Sequence, residues 1–228
     1  MKIDIRNLSS DLGSNFSLKD ISFEVGAGQI VTLLGRSGSG KTSLLRCLAG
    51  LRPFSAAACN IPKPFGMVFQ SSNLFNHLTL SQNIKIALVK TQGKSKKEAE
   101  NICDQVLTQV QLTHRGDALP HQLSGGEQQR GAIARTLALS PKVIFYDEPT
   151  SALDPELSLE IYDLMNALKS EGIIQVVVSH DTQIVKKIAD NVGYMKNGEL
   201  RWFGKAQDFR LEFPKLEQEE QKYLQLYQ

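Results

Sequence analysis

The sequence has few cysteines, and their spacing excludes the sites that cysteine most often builds. Cys47, Cys59 and Cys103 are odd in number and widely separated, without the short spacings of a structural zinc site. We therefore expect reduced cysteines with packing roles, as in a protein of the cytosol, and no disulfide framework. The N-terminal residues do not combine basic character with a long apolar run, so we expect no signal peptide.

Long apolar runs and a strong excess of one charge are missing as well. No apolar run approaches the ~20 residues that a helix needs to cross a bilayer, so work at a membrane would require a partner chain. The formal net charge is only +2 in 228 residues, which implies no large field of one sign. This balance argues against nucleic acid and against an anionic membrane surface as direct partners.

The most informative stretch that the sequence does contain is a glycine-rich loop between an apolar run and a helical pattern. The loop and the residue after it are Gly35, Arg36, Ser37, Gly38, Ser39, Gly40, Lys41, Thr42 and Ser43. Its three glycines let successive N–H groups point at phosphate oxygens, and the dipole of the following helix strengthens this field. Lys41 is suited to reach the β- and γ-phosphates, and the Thr42 hydroxyl is suited to ligate Mg²⁺. The stretch predicts a site for a nucleoside triphosphate.

Two further apolar runs end in polar residues that suit phosphate chemistry. The run 143–146 leads to Asp147 and Glu148, and the run 173–178 leads to His180. Asp147 is suited to hold Mg²⁺ and Glu148 to polarise an attacking water, while a helix cap and a structural histidine stay open as alternatives. Because ligands of open α/β sheets bind at the carboxyl ends of the strands, we expect the loop, the acidic pair and the histidine to meet there.

Strand and helix patterns alternate along the chain, which predicts an α/β fold built on a phosphate-loop NTPase core. We expect a mostly parallel sheet, an N-terminal antiparallel β portion and a helical subdomain within a single domain over 1–228. The expected parts are a core over about 1–70 and 139–204, a helical subdomain over about 71–138 and a C-terminal helical tail over 205–228.

Local signals mark two helix starts and one interruption of regular structure. Ser95 with Glu98, and Ser124 with Glu127, have the spacing of capping boxes and predict a helix start at each place. Residues 51–64 contain three prolines, which predicts an irregular segment.

The stretch Leu123–Gln129 resembles the signature sequence of ABC-type ATPases. Five further motifs in the order of that family extend the resemblance over nearly the whole chain. They are the phosphate loop at 35–42, a Q-loop glutamine at Gln70, a metal-site strand at Val143–Glu148, a D-loop at Ser151–Asp154 and a switch histidine at His180. By this resemblance, the chain is identified as an ATP-binding subunit of the ABC family.

The resemblance implies an ATPase that uses Mg²⁺ and forms a head-to-tail homodimer in its ATP-bound state. Each ATP would lie between the phosphate loop of one subunit and the signature of the other. There Ser124, Gly125, Gly126 and Glu127 would contact the nucleotide. Asp154 would reach across the dimer.

The resemblance also implies roles at the site of hydrolysis. Glu148 would act as general base or orient the attacking water, and His180 would contact the γ-phosphate. Gln70 would sense the metal and the water and link the site to a partner. The catalytic residues implied in this way are Glu148, His180, Gln70 and Lys41, and the metal-site residues are Thr42, Gln70 and Asp147.

Within the family, the chain is most similar to ATP-binding subunits of bacterial polar amino-acid importers. The strings that carry this similarity are Gly66–Gln70, Asn76–Thr79 and Tyr146–Leu157. They imply an ATPase that powers amino-acid import at the cytoplasmic face of the bacterial plasma membrane, bound to transmembrane permease subunits, with a solute-binding protein as a further partner. ABC ATPases of export or of a process other than transport stay open as alternatives, and a phosphate-loop kinase would leave Leu123–Gln129 unexplained.

Two features depart from the family. Such families usually place an aromatic residue that stacks on adenine just before Gly13, where this chain has Leu12. Phe16 is near enough to substitute for it, and a structural role for Phe16 in the core or an edge strand is equally open. The interval between the phosphate loop and the Q-loop is also short. This predicts that the antiparallel hairpin of this region is reduced to the loop at 51–64.

Three apolar residues follow the Q-loop in a mostly polar stretch. Leu74, Phe75 and Leu78 are suited to contact a permease. Packing inside the helical subdomain is the equal alternative for all three.

Overall fold

The computed structural model describes residues 1–11, 13, 16–180 and 182–209, with the backbone alone for 182 and 183. Leu12 and the predicted tail from residue 210 onward lie outside the described residues. The strands are β1 (Lys2–Asp11), β2 (Ser17–Gly26), β3 (Ile30–Leu34), β4 (Ala58–Asn60), β5 (Phe65–Val68), β6 (Val143–Asp147), β7 (Ile174–Val178), β8 (Asn191–Lys196) and β9 (Glu199–Lys205). The α-helices are α1 (Lys41–Leu48), α2 (Leu80–Gln92), α3 (Lys96–Gln109), α4 (Gly125–Leu137), α5 (Pro155–Ser170) and α6 (Thr182–Lys187), and short 3₁₀ helices span Thr113–Arg115 and Pro120–Gln122.

Two sheets form the β structure. Six strands pair in the order β5-β6-β7-β3-β8-β9, and all neighbours are parallel except β9, which pairs antiparallel with β8. A separate antiparallel sheet has the order β2-β1-β4. This is the mostly parallel α/β arrangement with an N-terminal antiparallel portion that the sequence predicted.

The central strands β3, β6 and β7 are buried along their whole length, because both faces of a parallel sheet are covered. Alternate side chains of these strands enter two different hydrophobic clusters. Ile144 and Tyr146 pack with the helices α2 to α5, whereas Val143 and Phe145 pack with α1 and the antiparallel sheet. The sheet therefore separates two cores and is held from both sides.

The segment 51–64 is not wholly irregular, and this part of the prediction was wrong. Ala58–Asn60 forms β4, which pairs antiparallel with β1, and Ile5 lies opposite Cys59. All three residues of β4 are exposed, so no hydrophobic alternation marked the strand. The ladder to β1 determines its conformation, which a short sequence pattern does not reveal.

The predicted helix starts are confirmed. The Ser95 hydroxyl accepts a bond from the Glu98 N–H, and the Glu98 carboxylate accepts one from the Ser95 N–H at 2.9 Å. The same reciprocal box joins Ser124 and Glu127 at the start of α4. Residues 206–209, the described beginning of the predicted C-terminal tail, form turns, and the Phe209 N–H donates to the carbonyl of Lys205 at 3.2 Å.

One buried asparagine fixes the segment that follows the Q-loop. Asn83 is fully buried on α2, where its side-chain oxygen accepts a bond from the Phe75 N–H at 2.7 Å and its amide donates to the carbonyls of Phe75, Leu78 and Thr79. Leu74 packs in the core, Leu78 is half-buried and Phe75 is 48% exposed. The three apolar residues therefore differ in exposure, and it is Phe75 whose ring faces solvent, on a backbone that Asn83 holds in place.

Among the helices of residues 1–11, 13, 16–180 and 182–209, none is long and apolar enough to cross a membrane.

Candidate active site

Three neighbouring strands bring the predicted site residues to one edge of the sheet. β7 lies between β6 and β3, and Val178 of β7 pairs with both Asp147 and Leu33. The glycine-rich loop, the acidic pair and His180 therefore leave the sheet at the same level. They surround a cavity of about 330 Å³ lined by Phe16, Ser37, Gly38, Gly40, Lys41, Thr42, Ser43, Glu148 and His180.

The start of the loop has no room for a side chain. Gly35 has a φ of 143°, and a Cβ atom there would lie 2.2 Å from the carbonyl oxygen of Met195 and 2.7 Å from Ser39 Oγ. Both the left-handed backbone and the contact with β8 require glycine. Arg36 and Ser39 line a neighbouring cavity of about 360 Å³ between the loop and the β8–β9 turn.

Lys41 lies inside the loop. The residue is only 5% exposed, and its ammonium donates to the carbonyls of Gly35 at 2.7 Å and Arg36 at 3.0 Å. Burial lowers the pKa of Lys41, and the carboxylates of Glu148 and Asp147 partly offset this effect. A phosphate in the loop would offer the ammonium a charged partner, and hydrogen bonds between charged groups are stronger than those to neutral carbonyls.

Thr42 and Asp147 form a pair of oxygen ligands beside the loop. The Thr42 hydroxyl donates to Asp147 Oδ1 at 2.7 Å, and the Asp147 side chain is 9% exposed. Mg²⁺ in proteins commonly takes one or two such oxygens and completes its shell with phosphate and water. The chemistry of the pair therefore fits Mg²⁺ bound together with a nucleotide.

A residue that the sequence analysis did not single out also contacts Asp147. Arg46 Nη2 lies 3.9 Å from Asp147 Oδ2, one helical turn after Thr42 on α1. The i, i+4 spacing from Thr42 was a signal that could have identified it.

Glu148 and His180 face each other at the mouth of the cavity. Glu148 Oε1 lies 2.9 Å from His180 Nε2. The backbone of Glu148 is left-handed, with a φ of 52°, and its N–H donates to the carbonyl of Val178 at 2.9 Å. Such a conformation is uncommon outside glycine, and it directs a carboxylate toward the cavity that holds Lys41, where it is placed to orient a water molecule.

The remaining predicted residues lie elsewhere on the described chain. Gln70 is exposed after β5, at the far side of β6 from the loop. The signature and D-loop residues lie at the starts of two helices, outside the cavity that contains Lys41. Ser124 caps α4, whose first residues are Gly125, Gly126 and Glu127, and Asp154 caps α5.

Glu127 is held firmly within its own chain. Burial raises the pKa of its carboxyl, but the bonds from Ser124 and the charge of Arg115 outweigh this effect and lower the pKa overall. Arg115 Nε lies 2.9 Å from Glu127 Oε1.

Comparisons with known proteins give a consistent result. Residues 18–151 match the family model described as ABC transporter. The chain is 40% identical to the glutamate transport ATP-binding protein GluA of Corynebacterium glutamicum, over 86% of this chain and 87% of that protein. It is 38% identical to the arginine transport ATP-binding protein ArtP of Haemophilus influenzae, over 96% and 97% of the two chains.

Solved structures with the same fold include the ATP-binding cassette MJ0796, in a dimeric post-hydrolysis state bound to ADP and Pi. The TM-score is 0.74 at 28% identity, over 90% of this chain and 99% of that one. A second is cbiO1 of Clostridium perfringens, part of the ABC transporter complex cbiONQ, with a TM-score of 0.81 at 28% identity over 93% of each chain.

The position of Lys41 leads to a direct test of the loop. Lys41→Ala is expected to weaken ATP binding by about 10- to 100-fold, because the ammonium supplies charge-assisted hydrogen bonds inside the loop. Calorimetric titration with ATP measures the affinity, and Lys63→Ala, which removes an exposed lysine outside the cavity lining, is the control. Unaltered affinity in Lys41→Ala would show that the loop does not hold the nucleotide.

Proposed function

The chain belongs to the ABC transporter family and is an ATPase, and we propose that it powers the import of amino acids through membrane-embedded permease subunits. The family match covers more than half of the chain. Relatives named for glutamate, glutamine and arginine transport each align over most of it. These names support amino-acid import as the process that the ATPase drives.

The observation that carries the proposal is the division of the predicted nucleotide contacts between two separate places. The phosphate loop, Glu148 and His180 line one cavity, while Ser124 and Asp154 cap helices outside it. A second copy placed head to tail would bring its Ser124 and Asp154 to the open side of the cavity. We infer that two subunits complete each ATP site in this way.

The chain's own residues account for nucleotide binding and activation of water. In the proposed dimer the loop N–H groups and Lys41 hold the β- and γ-phosphates, and Ser124 donates to the γ-phosphate from the second subunit. Thr42 and Asp147 would hold Mg²⁺, which would supply positive charge to neutralise the phosphates. Glu148 accepts a proton from the attacking water or orients it, and His180 holds the Glu148 carboxylate in place and contacts the γ-phosphate.

Phe16 is the residue placed to bind the base. It lines the cavity beside the loop, and its ring lies 3.4 Å from the position that a Cβ atom on Gly40 would occupy. An aromatic ring at this place supports stacking on adenine, the role that Leu12 does not supply.

The surface after Gln70 is the proposed contact with the permease. Phe75 is a large exposed apolar side chain, and Asn83 fixes the backbone that carries it. Contact there would place the ATPase at the cytoplasmic face of the plasma membrane, peripheral to it, with Gln70 between the permease and the nucleotide. A solute-binding protein would complete an import system of this kind.

The role of Glu148 is tested by Glu148→Gln. ATP turnover is expected to fall by at least about 100-fold, because a carboxamide does not act as a general base, while ATP binding persists and a dimer accumulates. Phosphate release and sedimentation velocity with ATP measure the two effects. Normal turnover in Glu148→Gln would exclude Glu148 as the catalytic base.

The role of Phe16 is tested by Phe16→Ala. Loss of stacking is expected to weaken ATP affinity by about tenfold, within the range of base–aromatic stacking energies. The affinities for ATP and for inorganic triphosphate are compared in parent and variant, since only the nucleotide has a base. Equal losses for both ligands, or none, would leave Phe16 a structural residue.

The transport proposal is tested on membranes of the native host. A tagged chain is expected to co-purify with polytopic permease subunits, and its deletion is expected to reduce uptake of labelled polar amino acids. Phe75→Ser should weaken the co-purification, while Val89→Ser, at another exposed apolar position, should not. Normal uptake with impaired efflux would instead support the export alternative.

A further inference from the structure

We propose that Arg130 and Glu160 are positioning residues that hold helices α4 and α5 in register, so that Ser124 and Asp154 act together on the ATP of the second subunit. This inference rests on the proposed head-to-tail dimer. It adds a pair of residues that belong neither to the signature nor to the D-loop.

The first turns of the two helices pack closely. A Cβ atom on Gly125 would lie 3.2 Å from Leu153 Cδ2, and one on Gly126 would lie 3.1 Å from Leu157 Cδ2. Because Gly125 and Gly126 have no side chain, the backbone of α4 can approach the leucines at the start of α5.

One turn further along, an ion pair continues the same contact. Arg130 Nη1 donates to Glu160 Oε2. Gly126 and Arg130 are four residues apart on α4, and Leu157 and Glu160 are three apart on α5, so each pair shares a helix face. The successive contacts advance in the same direction along both helices. The N-termini therefore lie at the same end and present Ser124 and Asp154 side by side.

The ion pair differs from an ordinary surface salt bridge, which contributes little to the stability of a protein. The Arg130 side chain is 17% exposed, whereas Glu160 is 52% exposed. Glu127 is engaged by Ser124 and Arg115 and acts on Arg130 through its charge, whereas Glu160 accepts a hydrogen bond from the guanidinium. Removing Glu160 would leave a largely buried guanidinium without its hydrogen-bonded carboxylate, which would destabilise the arrangement of the two helices.

The position of Arg130 and Glu160 predicts that they affect dimerisation and not the binding of ATP by one subunit. Arg130 and Glu160 do not line the cavity that holds Lys41 and Glu148; they border a separate cavity of about 220 Å³ between the helices. Their loss should leave ATP binding by a single subunit intact. It should weaken the dimer, because the partner's nucleotide would meet Ser124 and Asp154 in altered relative positions.

The experiment uses the full-length Glu148→Gln protein as parent, in which ATP is not consumed. Arg130→Gln, Glu160→Gln and the double variant are compared by sedimentation velocity with ATP and by binding of a fluorescent ATP analogue at protein concentrations below dimerisation. Each single variant is expected to weaken the dimer by about tenfold and to change analogue binding by less than about twofold. The double variant should be no weaker than the singles, because the two side chains act through one contact.

Lys85→Gln is the matched control. Lys85 pairs with Glu100 at 2.8 Å between α2 and α3, so its loss removes a helix–helix ion pair of similar kind away from α4 and α5. It should leave both dimerisation and analogue binding at the parent values. Thermal unfolding of each variant shows whether the fold is retained, and Glu160→Gln decides alone if Arg130→Gln does not fold, since Glu160 is half-exposed.

The outcomes separate this inference from the function on which it rests. If the parent does not dimerise with ATP, the head-to-tail dimer is wrong and the role of the pair falls with it. If the parent dimerises and the single variants match it, the positioning role is overturned. Equal weakening of analogue binding and of dimerisation would also overturn it, because the effect would then be a general loss of structure.

Discussion

The site depends on one constraint: the strands β3, β6 and β7 end next to one another at the same edge of the sheet. Asp147 and Leu33 pair with the same residue, Val178, and alternate side chains of these strands enter two different cores. A slip of one residue would exchange the side chains of the two cores, so packing on both faces holds the register. The packing of the two cores therefore determines where the loop, the acidic pair and His180 lie, and these cores contain many more residues than the site.

The helix starts supply the second half of the arrangement. A helix N-terminus carries N–H groups without partners in the helix and a positive dipole end. The start of α1 lines the cavity of the same chain, whereas the caps of α4 and α5, Ser124 and Asp154, lie outside that cavity. In the proposed dimer, helix N-termini would bind nucleotide at two places: the start of α1 in the chain's own cavity, and the starts of α4 and α5 in the cavity of the partner.

The sequence predicted well those features whose cause lies within a few residues. The reciprocal bonds of Ser124 and Glu127 depend on four consecutive residues, and Gly35 is required by the backbone of its own turn as well as by Met195. Features that depend on distant contacts were missed. β4 exists because β1 offers a ladder, and the contact of Arg46 with Asp147 joins residues about a hundred positions apart.

The same distinction applies to the end of the described chain. The structure describes only residues 206–209 of the predicted C-terminal tail; they form turns, and the Phe209 N–H donates to the carbonyl of Lys205. Phe209 is buried there, with its ring centroid 5.0 Å from that of Trp202. Phe209 belongs to a small hydrophobic cluster with Leu34, Val192 and Tyr194, a set of contacts that no local sequence pattern predicts.

The proposed catalytic groups already have hydrogen-bond partners in this structure. Lys41 donates to loop carbonyls, Thr42 donates to Asp147, and Glu148 contacts His180. A bound triphosphate would exchange these partners instead of ordering free side chains, so little conformational entropy would be lost on binding. Two of the predicted nucleotide contacts, Ser124 and Asp154, do not line the cavity that contains Lys41 and lie at another place on the chain. In the proposed dimer, hydrolysis would then depend on the encounter of two subunits, and a permease that separates or joins them would control the ATPase.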